Sequence, residues 1–429
     1  MIPKTMLDKK QIQALNWAIT GENTFISGFA GVGKSAVIRE IINEMRTAGK
    51  KVVVCAFTRR AALLLDDGGV TIFKAFNTFP GGLEFDEQGM RRLLDSFASE
   101  ADVIVIDEIS MCSKGLFSYI CKAIRKISKE KGYKDIQLIV SGDFLQLPPI
   151  HEKGKEAEFA FESSWWKKME FKTVVLEEAH RQRDPEFMKH LNEVRIGKNI
   201  KENLQYLKEN AHYLEKKEDA VTLCSYRADV NKVNDELIRK LPGEAVHYSA
   251  RTNSQTYMDS LSIRSEMDLK IGTFVMTVYN DPDDRYYNGL TGHIIAMSED
   301  SVTIEFADST DEKPHIEEVG YHTWYNEETS EYAEQLPVIP AYAVTIHKAQ
   351  GCTLDDVNVN PKCFEDGQFY VAISRVKSIE NLYITEELSE KDLKVNAKAL
   401  AFYEECEETY QNLDKEARLR EGGECNEGV

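Results

Sequence analysis

The chain has 429 residues, 42% of them hydrophobic and 29% charged, with a formal net charge of −19, which is ordinary globular composition and enough for about two or three domains. No apolar run approaches the ~20 residues of a membrane span and no basic-then-apolar leader follows Met1, so a cytoplasmic location is expected. The eight scattered cysteines form no CxxC pair or zinc-like spacing, and the acidity argues against wholesale nucleic-acid binding, although a narrow groove needs only a few local cations.

In chain order, the first 180 residues alternate short apolar runs with helical patterns. NTFISG, KVVVCAF, DVIVIDE, IQLIVSGD and TVVLEE are predicted strands, rich in Val and Ile and followed by polar or glycine-bearing turns. SAVIREIINEMRTAG and KGLFSYICKAIRKISKEKG are predicted helices, closed by Gly49 and Gly132. Such alternation implies a mainly parallel sheet covered on both faces. The first strand runs into GFAGVGKS, which matches G-x-x-x-x-G-K-[ST] with Gly28, Gly33, Lys34 and Ser35. In that setting the glycines turn backbone N–H groups around phosphates, Lys34 reaches the β- and γ-phosphates, and Ser35 ligates Mg²⁺. The glycine- and aromatic-rich stretch 66–92 breaks the alternation and reads as a small insertion.

DVIVIDEIS places Asp107 and Glu108 at the carboxyl end of a buried strand, where α/β sheets put their ligands. Asp107 suits a magnesium ligand and Glu108 the base that orients or deprotonates an attacking water, which favours ATP hydrolysis over simple nucleotide binding. Asp143 and Gln146 follow the next strand in SGDFLQLPPI, where an amide can sense the γ-phosphate. Arg181, in EEAHRQRDPEF, and Arg375, in QFYVAISRVKS, can stabilise charge on the transferring phosphoryl group. A second alternating region begins near Ala220 and resumes near Leu336. Between its halves, LKIGTFVMTVYND, LTGHIIAMS and DSVTIEFAD read as strands without helices, a small antiparallel insertion. The acidic tail from Leu388 has helical spacing and reads as a solvated helix.

Set in order, GFAGVGKS, DEISM, IQLIVSGDFLQLPPI, HRQRDPEFMKHLNEVRIG, AYAVTIHKAQG and FYVAISRV resemble superfamily 1 DNA helicases. The nearest family is the petite-integration-frequency (PIF-type) group, with the RecD and phage Dda helicases as relatives. The resemblance covers residues 7–385. It implies an α/β fold of two RecA-like P-loop domains with parallel sheets and ATP in the cleft between them. The domains would be 1–180, carrying the 66–92 insertion, and 181–268 with 336–387. A β-rich, barrel-like subdomain at 269–335 and an acidic tail at 388–429 complete the chain. The implied activity is 5′-to-3′ translocation on single-stranded DNA, driven by ATP and Mg²⁺. A monomer would unwind forked or tailed duplex, with G-quadruplexes and RNA–DNA hybrids as further substrates.

By the same resemblance, Gln11 reads adenine, and Gly28, Gly31, Gly33, Lys34 and Ser35 hold the nucleotide. Gln146 is the γ-phosphate sensor, while Arg181 and Arg375 reach the phosphates. Thr58, Thr345, His347 and Lys348 match strand-contacting positions. Phe76 and Phe79 are read as base-stacking or wedge residues on an equal footing with packing, and Trp165 and Trp166 as core. Three departures stand out: Arg59 replaces a frequent glycine, Thr71-Ile72-Phe73-Lys74 replaces Thr-Ile-His-Ser, and His180 stands where Phe is favoured before Arg-Gln. The residues leave two alternatives open: an ATPase that translocates or remodels without separating strands, and a small-molecule phosphotransferase. The second block of motifs, with His347, Gln350 and Arg375, speaks against the latter.

Overall fold

The structure, a computed structural model, describes residues 7–78, 83, 85–132, 135–151, 154–178, 184–261, 263–308, 310, 313–326 and 329–409. These form two units. One holds the chain up to Asn210, Cys363–Ile379 and the residues from Ser389 onward; the other holds Ala211–Lys362 and Glu380–Leu388.

Six strands build the first unit: β1 (Thr24–Gly28), β2 (Val52–Ala56), β3 (Val70–Thr71), β4 (Val103–Asp107), β5 (Gln137–Gly142) and β6 (Lys172–Leu176). They pair in the order β3-β2-β4-β5-β1-β6, each pair parallel. Central parallel strands are covered on both faces, and every residue of β1 and β5 is accordingly buried. The helix Lys34–Thr47 buries Val37, Ile38, Ile41, Ile42 and Met45, one apolar stripe at helical spacing. The helix Lys114–Glu130 starts where the Ser113 hydroxyl accepts the Leu116 N–H, and it buries Phe117, Ile120, Ile124 and Ile127.

The core of this unit is aromatic. Trp166 lies 5.2 Å from both Phe25 and Phe117 and 5.6 Å from Phe144, ring centre to ring centre. Trp165 packs against the same cluster, so both tryptophans are structural. Two stretches depart from the sequence reading. The segment expected to open an insertion instead supplies the edge strand β3 and the helix Ile72–Ala75, with Val70, Ile72, Ala75 and Phe76 in the core. Two strand residues and one helical turn are too short to show a period, so the pattern had no signal to give. The acidic tail forms a helix at 397–409 whose glutamates are exposed but whose Ala399 and Tyr403 are buried. Its Phe402 stacks on Phe161 at 4.3 Å.

The second unit has a five-stranded parallel sheet in the order Ala343–Thr345, Val221–Cys224, Val357–Val359, Leu382–Ile384, His212–Tyr213. It also carries an antiparallel sheet in the order Ile316–Gly320, Ser301–Phe306, Thr291–Met297, Phe274–Thr277, Val338–Pro340. In Ser301–Phe306, Val302, Ile304 and Phe306 are buried on alternate positions, as a sheet with one wet face requires.

Trp166→Ala is expected to destabilise the first unit by about 3–5 kcal/mol through the cavity it leaves. Leu64→Ala, at a side chain 53% exposed, should stay within about 0.5 kcal/mol of the parent. Urea unfolding followed by circular dichroism separates the two.

Candidate active site

β1 ends at Gly28, where φ is +143° and a Cβ would lie 2.5 Å from the Leu176 carbonyl oxygen and 2.8 Å from Val32 Cγ2. Only glycine fits such an approach. Gly31 and Gly33 also take positive φ, and Gly33 caps the helix Lys34–Thr47 without any side-chain hydrogen bond. The first-turn N–H groups of that helix thus have the arrangement that receives phosphate oxygens. Lys34 Nζ donates to the Gly28 carbonyl at 2.7 Å and to the Phe29 carbonyl at 3.1 Å, which spans the loop. Ser35 is half-buried in the same turn. Gln11, almost fully buried, donates from Nε2 to the Val32 carbonyl at 3.2 Å and accepts the Asp8 N–H at 3.1 Å. It ties the helix Lys9–Ile19 to the loop.

β4 delivers Asp107, and Glu108 follows it in the left-handed region with φ 53° and ψ 43°. For a residue with a Cβ that conformation costs about 1–2 kcal/mol, so the surrounding packing holds the Glu108 backbone against its preference. Burial pulls the Lys34 pKa below its ordinary value, while Asp143, Glu108 and Asp107 pull it back up and Arg195 pushes it down. Burial likewise raises the Asp107 pKa, opposed by the Glu108 backbone, the Ser141 hydroxyl and Lys34. The hard oxygens of Asp107 and Ser35, beside the carboxylates of Glu108 and Asp143, are a donor set that fits Mg²⁺.

Asp143 follows β5 and is completely buried. Arg195 Nε and Nη2 each donate to it at 2.8 Å, a fork-on-carboxylate pair. The Leu145 N–H donates to the same carboxylate at 3.1 Å, and the Gln146 N–H to the Asp143 carbonyl at 3.0 Å. Gln146 is thus fixed on a turn held from its first residue. Burial opposes the Arg195 charge, but Asp143 outweighs it, so the guanidinium pKa lies above its ordinary value.

The segment Cys363–Ile379 packs with this unit. Gly367, at φ +71°, could carry no Cβ, because the Gln146 and Leu145 carbonyl oxygens would lie 2.5 and 2.6 Å from it. In the helix Gln368–Ile373 that follows, the Tyr370 hydroxyl accepts the Ala30 N–H of the phosphate loop at 2.9 Å. Arg375 comes just after. It is buried, with Nε donating to the Val371 carbonyl at 2.7 Å and Nη2 to the Ser374 hydroxyl at 2.8 Å. The sequence assigns Arg375 to the second domain, and in the structure Cys363–Ile379 groups with the first unit. Arg181 and Phe79 lie outside the described residues.

The expected strand-contacting residues sit at the ends of parallel strands. Thr58, exposed just past β2, caps the helix Arg59–Leu65 by accepting the Ala61 N–H at 3.2 Å. Arg59 donates to the Gly69 carbonyl at 2.6 Å. In the second unit Thr345 ends the strand Ala343–Thr345, with half-buried His347 and Lys348 on the turn beyond it. Burial, helped by Arg227, pushes the Lys348 pKa down to about 8. Phe76 is a correction. It is fully buried with Val70, Ile72 and Leu93, and no face of the ring is left for a base to stack on.

Two site residues escaped the sequence reading: Tyr370 and Arg195. Arg195 had a usable signal. It stands four and eight residues after Leu191 and Phe187, both buried, so a cation was predictable on an apolar helix face.

A sequence profile described as PIF1-like helicase matches residues 6–205. The chain is 30% identical to the ATP-dependent DNA helicase Pif1 of Campylobacter jejuni, over 89% of this chain and 94% of that one. It is 29% identical to the protein of the same name in Bdellovibrio bacteriovorus, over 94% of this chain and 92% of that one. With the ATP-dependent DNA helicase PIF1 of Danio rerio it shares 31% identity, but there it spans 63% of the relative's length. Among solved structures, the Pif1 helicase of Candida albicans superposes with a TM-score of 0.79 at 27% identity, covering 94% of this chain and 99% of that one. A Bacteroides Pif1 bound to single-stranded DNA gives 0.78 at 25% identity, covering 95% and 98%.

Arg195→Met strands a buried carboxylate and should destabilise the first unit by about 3–5 kcal/mol, most of it recovered when Asp143→Leu is added. Denaturant midpoints of the single and double variants test the pair; a double variant no better than the single would show that Asp143 is stable without its partner.

Proposed function

Because the chain belongs to the PIF1-like helicase family, we propose that it hydrolyses ATP at the phosphate loop to move 5′-to-3′ along single-stranded DNA and to unwind the duplex ahead. The observation that carries the reading is the placement of Lys34 within electrostatic reach of Asp107, Glu108 and Asp143 at the carboxyl edge of one parallel sheet. A module that only bound nucleotide would have no use for a second carboxylate aimed at water.

In this reading Gln11 borders the adenine, and Gly28, Gly31 and Gly33 shape the loop that takes the phosphates. Lys34 neutralises the β- and γ-phosphates. Ser35 and Asp107 would hold Mg²⁺, which when bound screens charge on the phosphate oxygens. Glu108 accepts the proton of the attacking water, and Gln146 registers the terminal phosphate. Arg375 stabilises the negative charge that spreads over the transferring group, with Arg181 as its companion by family resemblance. Tyr370, on the Ala30 N–H, holds the loop from the side of the Arg375 segment.

Thr58, Thr345, His347 and Lys348 would meet DNA phosphates, and such contacts carry no sequence information, as a tracking motor requires. A relative solved with single-stranded DNA and another at forked duplex support the substrate class. Folded G-rich DNA and RNA–DNA hybrids remain further substrates by the same family reasoning. Among the described residues no helix is long and apolar enough to cross a membrane.

ATP hydrolysis should rise on adding single-stranded DNA, and duplexes with a 5′ tail should be unwound in preference to those with a 3′ tail. Hydrolysis indifferent to DNA would defeat the reading. Glu108→Gln should still bind ATP, measured by a fluorescent analogue, while turnover falls at least about a hundredfold.

Lys348 is charged below its pKa of about 8. Its contribution to DNA affinity is therefore full near pH 7 and declines as pH rises toward 9, by up to about tenfold. Lys348→Arg stays charged throughout and should flatten that dependence; an unchanged slope in the arginine variant would remove Lys348 from the contact.

A further inference from the structure

We propose that Tyr403, on the helix at 397–409, is a positioning residue for ATP turnover, a role that rests on the ATPase reading above. Its side chain is buried, 376 positions from the Ser27 it meets. Three groups converge on the one phenolic oxygen. The Phe144 N–H donates to it at 3.0 Å, the Ser27 hydroxyl lies at 2.5 Å, and Asp143 Oδ1 lies at 3.4 Å.

Hydrogen accounting fixes the direction of the bonds. The Ser27 hydroxyl donates to the Gly142 carbonyl at 2.8 Å, so its own hydrogen is used. The phenol must then donate to Ser27 while accepting from Phe144, and the longer Asp143 contact is secondary. Burial, reinforced by Asp143, raises the Tyr403 pKa well above that of an ordinary tyrosine, so the hydroxyl keeps the hydrogen this requires.

The two ends of the bridge matter. Ser27 immediately precedes Gly28, the first residue of the phosphate loop, and Phe144 stands two residues before Gln146. One hydroxyl thereby sets the spacing between the loop that holds the phosphates and the turn that presents the amide. The Tyr403 ring also lies 5.0 Å from the Arg195 guanidinium, the group that pins Asp143 at the head of the same turn. Ground-state nucleotide binding depends on the loop itself, shaped locally by its glycines and by Gln11. Alignment of Gln146 with the loop matters most at the transition state, so loosening the bridge should appear in kcat rather than in KM.

The test is steady-state ATP hydrolysis by the full chain at saturating single-stranded DNA. Tyr403→Phe keeps the ring and removes the bridge. Its kcat should fall about five- to tenfold with KM for ATP within about twofold, and the melting temperature should shift by no more than about 3 °C. Ser27→Ala cuts the other end, and the double variant should be no slower than Ser27→Ala alone, since both remove one link. An unchanged kcat in Tyr403→Phe overturns the proposal. So does a double variant whose losses multiply, or a kcat loss matched by an equal loss of folded protein, which would mark a packing role. A parent protein without DNA-stimulated hydrolysis fails the ATPase reading first, and this inference with it, before any variant is compared.

Discussion

Charge compensation in a place with little water is the constraint on which the first unit depends. Asp107, Glu108 and Asp143 converge with Lys34 and Arg195 at one edge of a sheet whose central strands are otherwise apolar. Carboxylates taken out of water must be paired or hydrogen-bonded, and an unmatched one is strongly destabilising. Arg195 meets this requirement for Asp143 through two short hydrogen bonds. Without it, Asp143 would be a buried anion drawing on Lys34, the cation needed for phosphate. The structural ion pair and the chemical one are thus separate but adjacent.

Backbone geometry supplies the second layer. A parallel sheet brings the carboxyl ends of β1, β4 and β5 to a single edge, so residues distant in sequence meet without any of them leaving a strand end. Two glycines then permit contacts that a Cβ would forbid: Gly28 against Leu176, and Gly367 against the turn that carries Gln146. The left-handed Glu108 is the one strained residue in the group. Strain of that kind persists only where the surroundings over-determine it. Here the buried turn that follows, with Ile109 and Ser110 fully enclosed, meets that condition.

The strands and the nucleotide motif were legible in the sequence because each is a local pattern. Buried runs such as VIVID and QLIVSG announce themselves by continuous apolar content, and GFAGVGKS by its glycine spacing. What the pattern could not show were relations between segments. Phe76 looked like an aromatic in a loop, because β3 and its single helical turn are too short to carry a period. The acidic tail looked solvated because its glutamates outnumber its buried residues. Ala399 and Tyr403 lie one turn apart on one face, a signal too sparse to be read as a core stripe. Motif order identifies Arg375, but not its bonds back to Val371 and Ser374 or the close approach of Gly367 to the Gln146 turn.

The path of the chain bears on how the molecule comes into being. Synthesis delivers the six described strands of the first unit early and the helix at 397–409 much later, with the second unit in between. At the usual ~5–20 residues per second, the roughly 230 residues separating β6 from Tyr403 take some tens of seconds to emerge. During that interval the Tyr403 hydroxyl is not yet available to Ser27 and Phe144, nor Phe402 to Phe161. A ribosome that stops short of Tyr403 leaves behind a phosphate loop without its last fastening. The order of translation therefore delays the Tyr403 bridge between Ser27 and Phe144 until the second unit has emerged.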